Sequence, residues 1–233
     1  MTRETFIGEL FRVYSLVSVL SAKNDCKVLR LRHKTSGKDM VLRSFPERVE
    51  AYEILCGVCC RNLPEIYDAI DVENGQIVLE EYIDGITVTQ VLEGDKYRYR
   101  GAKKVLSEVC HALCVLHDHG VIHRDVKPDN VMIGNDGRVL LIDFDASRQI
   151  SLAQKDTVVL GTVGYASPEQ LGIAQSDART DVYATGVMLN VMLTGLHPSQ
   201  HMAGGKAGRI IRKCTAINPD ERYASAMLLQ AAL

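Results

Sequence analysis

The sequence has no apolar stretch long enough to cross a membrane, which takes about 20 residues. Its most apolar stretch, from Val187 to Leu196, is short and is interrupted by Asn190 and Thr194. The first residues include Arg3 and Glu4 and have no extended apolar core, so we expect no signal peptide. These absences predict a chain without a membrane segment and with a cytoplasmic location.

An excess of charge of one sign is also lacking. The 27 basic and 29 acidic residues give a formal net charge of −2, and the basic residues are scattered. We therefore expect no nucleic-acid partner. The seven cysteines are an odd number in a chain without a predicted secretory signal, which favours free thiols over a disulfide framework.

The sequence does contain enough apolar residues, 46% of 233, to form a sizeable core. Up to about residue 85 the pattern predicts mainly strands, at Val13–Leu20, Lys27–His33, Asp39–Phe45, Glu65–Asp71 and Gln76–Glu81. A helix is predicted over residues 47–60. Cys56, Cys59 and Cys60 would share one face of it, which we interpret as buried and apolar, with a metal site as the alternative.

The remainder of the chain is predicted to be mainly helical. Helices are expected over Gly101–His119 and over residues 180–194. Between them, Val131–Ile133 and Val139–Ile142 flank an Asn-Asp-Gly turn and predict a short hairpin.

The most informative pattern, His-Arg-Asp-Val-Lys-Pro-Asp-Asn at 123–130, precedes that hairpin, and Asp143-Phe144-Asp145 follows it. Asp125 could accept a proton from a hydroxyl group, and Lys127 adds a positive charge two residues later. Asn130 and Asp143 supply the hard oxygen atoms that Mg²⁺ prefers. Such a set can hold a hydroxyl group, a phosphate and metal ions together.

These segments resemble the catalytic and metal-binding loops of the protein kinase family, and four further segments match in family order. They are Ile77–Gly85 (last small-lobe strand and hinge), Gly161–Glu169 (end of the activation segment), Asp181–Gly186 (start of a long helix) and Asn218–Tyr223. The chain is most similar to compact eukaryotic-like serine/threonine kinases of bacteria. The resemblance implies a bilobal α+β fold.

In that fold a small β-rich lobe with one helix would span residues 1–83. The hinge would lie near residues 81–86, and a larger, mainly helical lobe would span residues 86–233. The cofactors implied are ATP and Mg²⁺, and the implied partners are protein substrates.

The resemblance also implies a role for each matching residue. Asp125 would be the base and Lys127 would neutralise the transferring phosphoryl group, while Asn130 and Asp143 would bind the metal. Nucleotide contacts would come from Val28, Val41, Arg43, Glu81, Ile83 and Met132.

Other matching residues would order the loops of the site. Asp181 would hold the catalytic-loop backbone, and Glu169 would pair with Arg222. Thr157 and Thr162 fall in the activation segment. Thr162 would contact Asp125 and Lys127. Thr157 is a candidate phosphorylation site that Arg124 could grip, or else an ordinary loop residue.

The chain departs from the family pattern at several points, most of them in the small lobe. Residues 21–28, where a glycine-rich loop is expected, contain no glycine, and Asp145 replaces the glycine of Asp-Phe-Gly. Arg43 stands where the family has lysine, and arginine is a longer, forked cation. We hypothesise that Arg43 pairs with Glu80. The alternative is that Glu80 turns outward and that Glu50 or Glu53 takes Arg43.

Three functions are compatible with these residues. The first is transfer of the ATP γ-phosphate to serine and threonine hydroxyl groups of proteins. The second is a pseudokinase, a binding or scaffolding module with little turnover, because the nucleotide clamp is altered. The third, a kinase acting on a small molecule, is disfavoured by Thr162 and the Ser-Pro-Glu segment, which are typical of a loop that presents protein substrates.

Overall fold

The computed structural model describes residues 2–23, 25–149, 164–171 and 176–233. Thr157 and Thr162 lie outside the described residues. The chain divides into two compact units. One comprises residues 1–60 and 64–83, and the other comprises residues 61–63 and 84–233. The first is built on a sheet and the second is mainly helical, so the expected α+β class is confirmed.

The first unit is a five-stranded antiparallel sheet with two helices. In chain order its elements are α1 (Arg3–Val13), β1 (Tyr14–Lys23), β2 (Cys26–His33), β3 (Asp39–Phe45), α2 (Glu50–Leu55), β4 (Ile66–Val72) and β5 (Gly75–Glu81). The strand order is β1-β2-β3-β5-β4. The predicted strands are therefore present, with bounds shifted by a few residues.

The alternation of side chains along β3 separates the two faces of this sheet. Met40 and Leu42 lie on one face, in a buried cluster with Leu31, Val72 and Ile77. Val41 and Arg43 point to the opposite face. Register places Val28 of β2 directly across from Arg43, so one apolar face and one partly charged face are built from the same strands.

Helix α1 covers the apolar face and was not predicted. Its apolar residues Phe6, Ile7, Leu10 and Phe11 pack against the Leu31–Met40–Leu42 cluster, and their spacing is helical. The side chain of Thr2 caps the helix by accepting a hydrogen bond from the Thr5 amide at 3.2 Å. Arg3 Nη2 donates to Phe45 O at 2.6 Å and to Asn74 O at 2.8 Å, which ties the helix to the strand ends.

Helix α2 is much shorter than the predicted helix over residues 47–60. It buries Ala51, Tyr52 and Leu55, and the chain turns extended at Cys56. Cys56 and Cys59 are exposed, so our interpretation of the cysteines as a buried helical face is wrong. Gly57, at φ +78°, explains the early end, because its left-handed backbone breaks the helical path. Within the described residues, no group of three or more His, Cys, Asp or Glu side chains could hold a metal ion.

The second unit is organised around two helices, α4 (Tyr99–Asp118) and α5 (Ala178–Thr194). Its other elements are β6 (Gly85–Thr87), α3 (Val88–Gly94), β7 (Val121–Ile122), β8 (Val131–Gly134), β9 (Val139–Leu141), β10 (Arg148–Gln149), α6 (Gly205–Cys214) and α7 (Ala226–Ala232). Strands β6, β8 and β9 form one small sheet, and β7 pairs with β10. No helix among the described residues has both the length and the apolar character needed to span a bilayer.

Both helices follow from the sequence pattern. Helix α4 is amphipathic and buries a stripe that includes Val105, Val109, Leu113 and Leu116. Helix α5 is largely buried, and it begins at the cap Asp177 and ends at Gly195, which has φ +74°. Its buried polar residues, including Asp181, therefore need hydrogen-bond partners inside the unit.

The packing of α1 on the sheet gives a first prediction. Leu10→Ala removes a side chain that packs on the Leu31–Met40–Leu42 cluster. We expect the free energy of unfolding to fall by about 1–2 kcal/mol in urea titrations, because partly buried apolar surface is lost. Glu9→Ala, on the exposed side of the same helix, is the control and should change stability by less than about 0.5 kcal/mol. Equal effects would show that α1 does not stabilise the sheet.

Candidate active site

The segment between β7 and β8 brings three of the predicted catalytic residues together. Lys127 Nζ lies 2.6 Å from Asp125 Oδ2. Asn130 Nδ2 donates to the same Asp125 oxygen and to the Asp125 carbonyl, both at 2.9 Å. The Asp125 carboxylate is therefore held by an ammonium group and an amide from its own loop, with its position fixed on two sides.

The backbone of this loop has an unusual conformation at Arg124, whose φ is +66°. A side chain with a Cβ atom adopts this left-handed conformation at a cost of about 1–2 kcal/mol. The carboxylate of Asp181 in α5 compensates. It accepts the Arg124 amide at 2.8 Å through Oδ1 and the His123 amide at 2.9 Å through Oδ2.

Asp181 is fully buried and has a third partner, His117 Nε2, at 2.8 Å from Oδ2. Burial alone would raise the pKa of the Asp181 carboxyl. The hydrogen bonds from His117 and the His123 amide outweigh that effect and hold the pKa below its ordinary value. Asp181 is therefore a carboxylate that carries its charge inside the protein and uses it to orient the catalytic loop.

The β8–β9 hairpin places the two predicted metal ligands at the same end. Val131 pairs with Leu141, and the Ile142 amide donates to the Asn130 carbonyl at 2.9 Å. Asp143 follows immediately, with a left-handed φ of +71°. Asn130 and Asp143 thus lie next to each other at one end of the ladder. An amide oxygen and a carboxylate are hard donors, so this pair fits Mg²⁺ completed by water and phosphate oxygens.

His123 and Phe144 pack together beside this site. Their rings meet edge to face with centroids 5.7 Å apart, and both side chains are buried. His123 Nε2 also lies 3.2 Å from the Ile142 carbonyl. The loop before β8 and the segment after β9 are therefore fixed to each other.

The structure joins Glu169 and Arg222 in a bidentate, buried ion pair, with contacts of 2.6 and 2.9 Å. The remaining Arg222 donors reach the carbonyl oxygens of Ala216, Arg179 and Ile217. All five N–H groups of the guanidinium are thereby hydrogen-bonded. Burial opposes ionisation of Glu169, but Arg222 holds the pKa of its carboxyl below the ordinary value.

Two residues that position the site were missed by the sequence analysis. His117 contacts Asp181, and Gln170 Nε2 donates to the Arg124 carbonyl at 2.8 Å. His117 lies partly buried in the last turn of α4, where a lone histidine gives no sequence signal. Gln170 directly follows the Ser-Pro-Glu segment, and this neighbourhood was the sequence signal that could have identified it. Its partner, the Arg124 carbonyl, is distant in sequence.

In the first unit, Arg43 Nε lies 2.7 Å from Glu80 Oε1, and both side chains are buried, with 9% and 4% exposure. Arg43 pairs across the ladder with Val78, so Glu80 is the next residue on the same face. Glu53 instead binds Arg48 and accepts from Gln76 Nε2 at 2.9 Å, while Glu50 is exposed. Our hypothesis that Arg43 pairs with Glu80 is confirmed, and the alternative is wrong.

The other residues predicted to contact a nucleotide are distributed over both units. Val28 and Val41 share the Arg43 face of the sheet. Glu81 and Ile83 follow at the end of β5 and just beyond it, and Met132 lies on β8 of the other unit. Where the family has a glycine-rich loop, Lys23 pairs with Cys26, and Asp25 takes a φ of +61°.

The sequence similarity of this chain to known proteins agrees with these features. Residues 12–230 match the family model for the protein kinase domain. Because this match covers nearly the whole sequence, the chain belongs to the protein kinase domain family.

Three bacterial proteins illustrate its similarity to curated relatives. The chain is 32% identical over 200 residues to the serine/threonine-protein kinase PknB of Mycolicibacterium smegmatis, covering 72% of this chain and 32% of the relative. It is 34% identical over 185 residues to PknB of Mycobacterium tuberculosis, covering 67% of this chain and 29% of the relative. A probable serine/threonine-protein kinase of Corynebacterium efficiens is 37% identical over 142 residues, which are 57% of this chain and 22% of that protein. The chain thus spans about a third or less of the length of these relatives.

The buried Arg43–Glu80 pair gives a second prediction. Glu80→Leu leaves a buried guanidinium without this carboxylate and should lower the free energy of unfolding by about 3–5 kcal/mol. Replacing both residues, Arg43→Met with Glu80→Leu, should restore most of that loss, because the guanidinium that loses the Glu80 carboxylate is removed as well. Urea titration of the four proteins of this cycle measures the coupling. An effect of Glu80→Leu no larger than that of Glu50→Leu, an exposed glutamate, would contradict the prediction.

The Glu169–Arg222 pair gives a third prediction, on acid stability. The pKa of Glu169 is lower in the folded chain than in the unfolded chain, so its contribution is fully present above about pH 4 and is lost as the pH falls through the lowered value. Glu169→Gln should therefore lower the melting temperature at pH 7 and reduce its further fall between pH 4 and pH 2. Glu93→Gln, at an exposed glutamate, should follow the wild type. If the melting temperature of Glu169→Gln fell between pH 4 and pH 2 as steeply as that of the wild type, the acid sensitivity would come from other groups.

Proposed function

We propose that this chain transfers the γ-phosphoryl group of ATP to serine and threonine hydroxyl groups of proteins. The observation that carries the proposal is the cluster in which Lys127 and Asn130 both contact the Asp125 carboxylate. Membership of the protein kinase family supports phosphoryl transfer, and the names of the relatives support serine or threonine as the acceptor. The assignment of individual residues below belongs to the proposal.

In the proposed reaction, the acceptor hydroxyl oxygen forms a bond to the γ-phosphorus, and the bond from phosphorus to the bridging oxygen of ADP breaks. Asp125 orients the hydroxyl group and takes its proton. Lys127 Nζ lies 2.6 Å from Asp125 Oδ2. In the proposal its positive charge neutralises the charge that develops on the transferring phosphoryl group. Asn130 and Asp143 would hold Mg²⁺, which when bound neutralises charge on the phosphate oxygens.

In the same proposal the small lobe, residues 1–83, contributes the nucleotide contacts of Val28, Val41, Arg43, Glu81 and Ile83. The second lobe, residues 86–233, contributes Met132 and the catalytic loop, with the hinge near residues 81–86. Arg43 keeps the positive charge that the family places on the third strand, but Glu80 already engages that charge. We therefore infer slower turnover than for a kinase with a lysine at this position.

Regulation through the activation segment is a further part of the proposal. In this part of the proposal Thr157 would be a phosphorylation site, and Thr162 would contact Asp125 and Lys127 as the matching family residue does. Arg124 directly precedes the candidate base, and a phosphate gripped by an arginine there would act on the catalytic loop. Support for this part comes from the family motif.

The proposal is tested by incorporation of ³²P from γ-labelled ATP with Mg²⁺ into the chain itself and into a general protein acceptor. Asp125→Asn should lower incorporation by at least about 100-fold, because the base is lost while the side-chain size is kept. Asp118→Asn, at an exposed carboxyl group on the last residue of α4, is the matched control and should retain wild-type incorporation. Phosphoserine and phosphothreonine should be found in the product by mass spectrometry.

The pseudokinase alternative predicts a different result. Arg43 on the third strand and the absence of glycine from residues 21–28 favour it, because both differ from the nucleotide clamp of the family. ATP binding by calorimetry together with absent incorporation, or with equal incorporation in the wild type and Asp125→Asn, would overturn the proposed transfer. The chain would then be a binding module.

A further inference from the structure

Gln170 contacts the catalytic loop from a distant part of the sequence. It lies in a short 3₁₀ turn, Pro168–Leu171, and its side chain is fully buried. Its Nε2 donates to the Arg124 carbonyl at 2.8 Å. Its Oε1 accepts the Ser167 amide at 3.0 Å and lies 3.2 Å from the Ser167 hydroxyl oxygen. A single carboxamide therefore joins the first residue of the Ser-Pro-Glu segment to the loop that carries Asp125.

The carbonyl that Gln170 holds belongs to the peptide group between Arg124 and Asp125. The N–H of that same peptide group, on Asp125, points to His123 Nδ1 at 3.3 Å. The preceding N–H, on Arg124, donates to Asp181 Oδ1 at 2.8 Å. The peptide plane that leads into the candidate base is thus held at both of its polar atoms. Because Arg124 is left-handed, release of one of these contacts would let this plane rotate and carry Asp125 with it.

Only certain side chains can perform this role at position 170. Glutamine offers a donor for the Arg124 carbonyl and an acceptor for Ser167 in one rigid group. The two donors of Ser167 fix which end of the carboxamide is the oxygen, so the NH₂ group faces Arg124. Ser167 replaces the alanine that is usual in the kinase Ala-Pro-Glu motif, and its hydroxyl group adds the second of these contacts.

We propose that Gln170 is a positioning residue for Asp125, and that with Ser167 it couples the placement of the Ser-Pro-Glu segment to the geometry of the candidate base. This inference deepens the proposed function and rests on it for its kinetic consequence. The structural part, the restraint on the Arg124–Asp125 peptide group, can be measured without turnover.

The kinetic test compares Gln170→Met, which keeps length and loses both polar atoms, with Gln230→Met. Gln230 is the matched control, because its Nε2 also donates to a backbone carbonyl, that of Ser107, at 2.7 Å in the same unit. We expect Gln170→Met to lower kcat by about 10- to 100-fold with little change in the KM for ATP, since small misplacement of a catalytic group has effects of this size. Gln230→Met should keep kcat within about twofold of the wild type, a range well below such misplacement effects.

Gln170→Glu adds a readout that a merely structural role would not produce. An ionised carboxylate has no proton to donate to the Arg124 carbonyl, whereas a protonated one has. The kcat of this variant, relative to the wild type at the same pH, should therefore rise as the pH falls through the pKa of the introduced carboxyl group. A constant ratio across pH 5–8 would count against the proposal.

Amide hydrogen exchange at Arg124 and Asp125 provides the measurement that is independent of catalysis. Exchange should be faster in Gln170→Met than in the wild type, and unchanged in Gln230→Met. Ser167→Ala, a milder change that keeps the backbone amide contact, should show a smaller increase and remains available if Gln170→Met does not fold.

The outcomes separate the two proposals. An inactive wild type with faster exchange in Gln170→Met would overturn the proposed transfer and retain the positioning role. Wild-type kcat and wild-type exchange in Gln170→Met would overturn the positioning role while leaving the transfer intact. Equal losses in Gln170→Met and Gln230→Met would also overturn it, because the effect would then be general destabilisation.

Discussion

The catalytic loop of this protein depends on one buried carboxylate. Asp181 accepts hydrogen bonds from two consecutive backbone amides, those of His123 and Arg124, and from the His117 ring. A charge in the interior is stable only with such partners, and a left-handed arginine is stable only with such an acceptor. The buried charge of Asp181 and the left-handed backbone of Arg124 therefore stabilise each other. Together they fix the position of Asp125.

A second buried charge organises the helical unit around the same region. Arg222 uses all five of its donors, two on Glu169 and three on carbonyl groups, and its guanidinium lies 4.9 Å from the centre of the Tyr183 ring. Lysine, with three donors on a single nitrogen, could not reproduce this pattern. Gln170 is adjacent to Glu169, so the ion pair that anchors the segment also sets the place from which Gln170 reaches the catalytic loop. The residue that forms the anchoring ion pair and the residue that contacts the catalytic loop are therefore neighbours in the chain.

Much of this arrangement could be predicted from the sequence, because the relevant information is local or belongs to a motif. The strands from β2 to β5 follow from alternation, α4 from its apolar stripe, and the residues of the Asp125 cluster from one octapeptide. What sequence reasoning missed is mostly non-local. His117 and Gln170 act through partners 64 and 46 residues away. Helix α2 was predicted too long because an apolar pattern does not reveal the left-handed Gly57, and α1 was overlooked although its spacing was helical.

Most of helix α1 precedes the range matched by the family model, although the helix packs on the sheet of the first unit. The match to the family model begins at residue 12, after the side chains of Phe6, Ile7, Leu10 and Phe11 that cover the Leu31–Met40–Leu42 cluster. A protein trimmed to that boundary would expose an apolar sheet face to water, together with β1, an edge strand whose Leu16, Val17, Val19 and Leu20 are already exposed. Such a fragment would combine an open sheet edge with a bare apolar surface and would aggregate. The packed structure of the first unit therefore includes residues that precede the range matched by the family model.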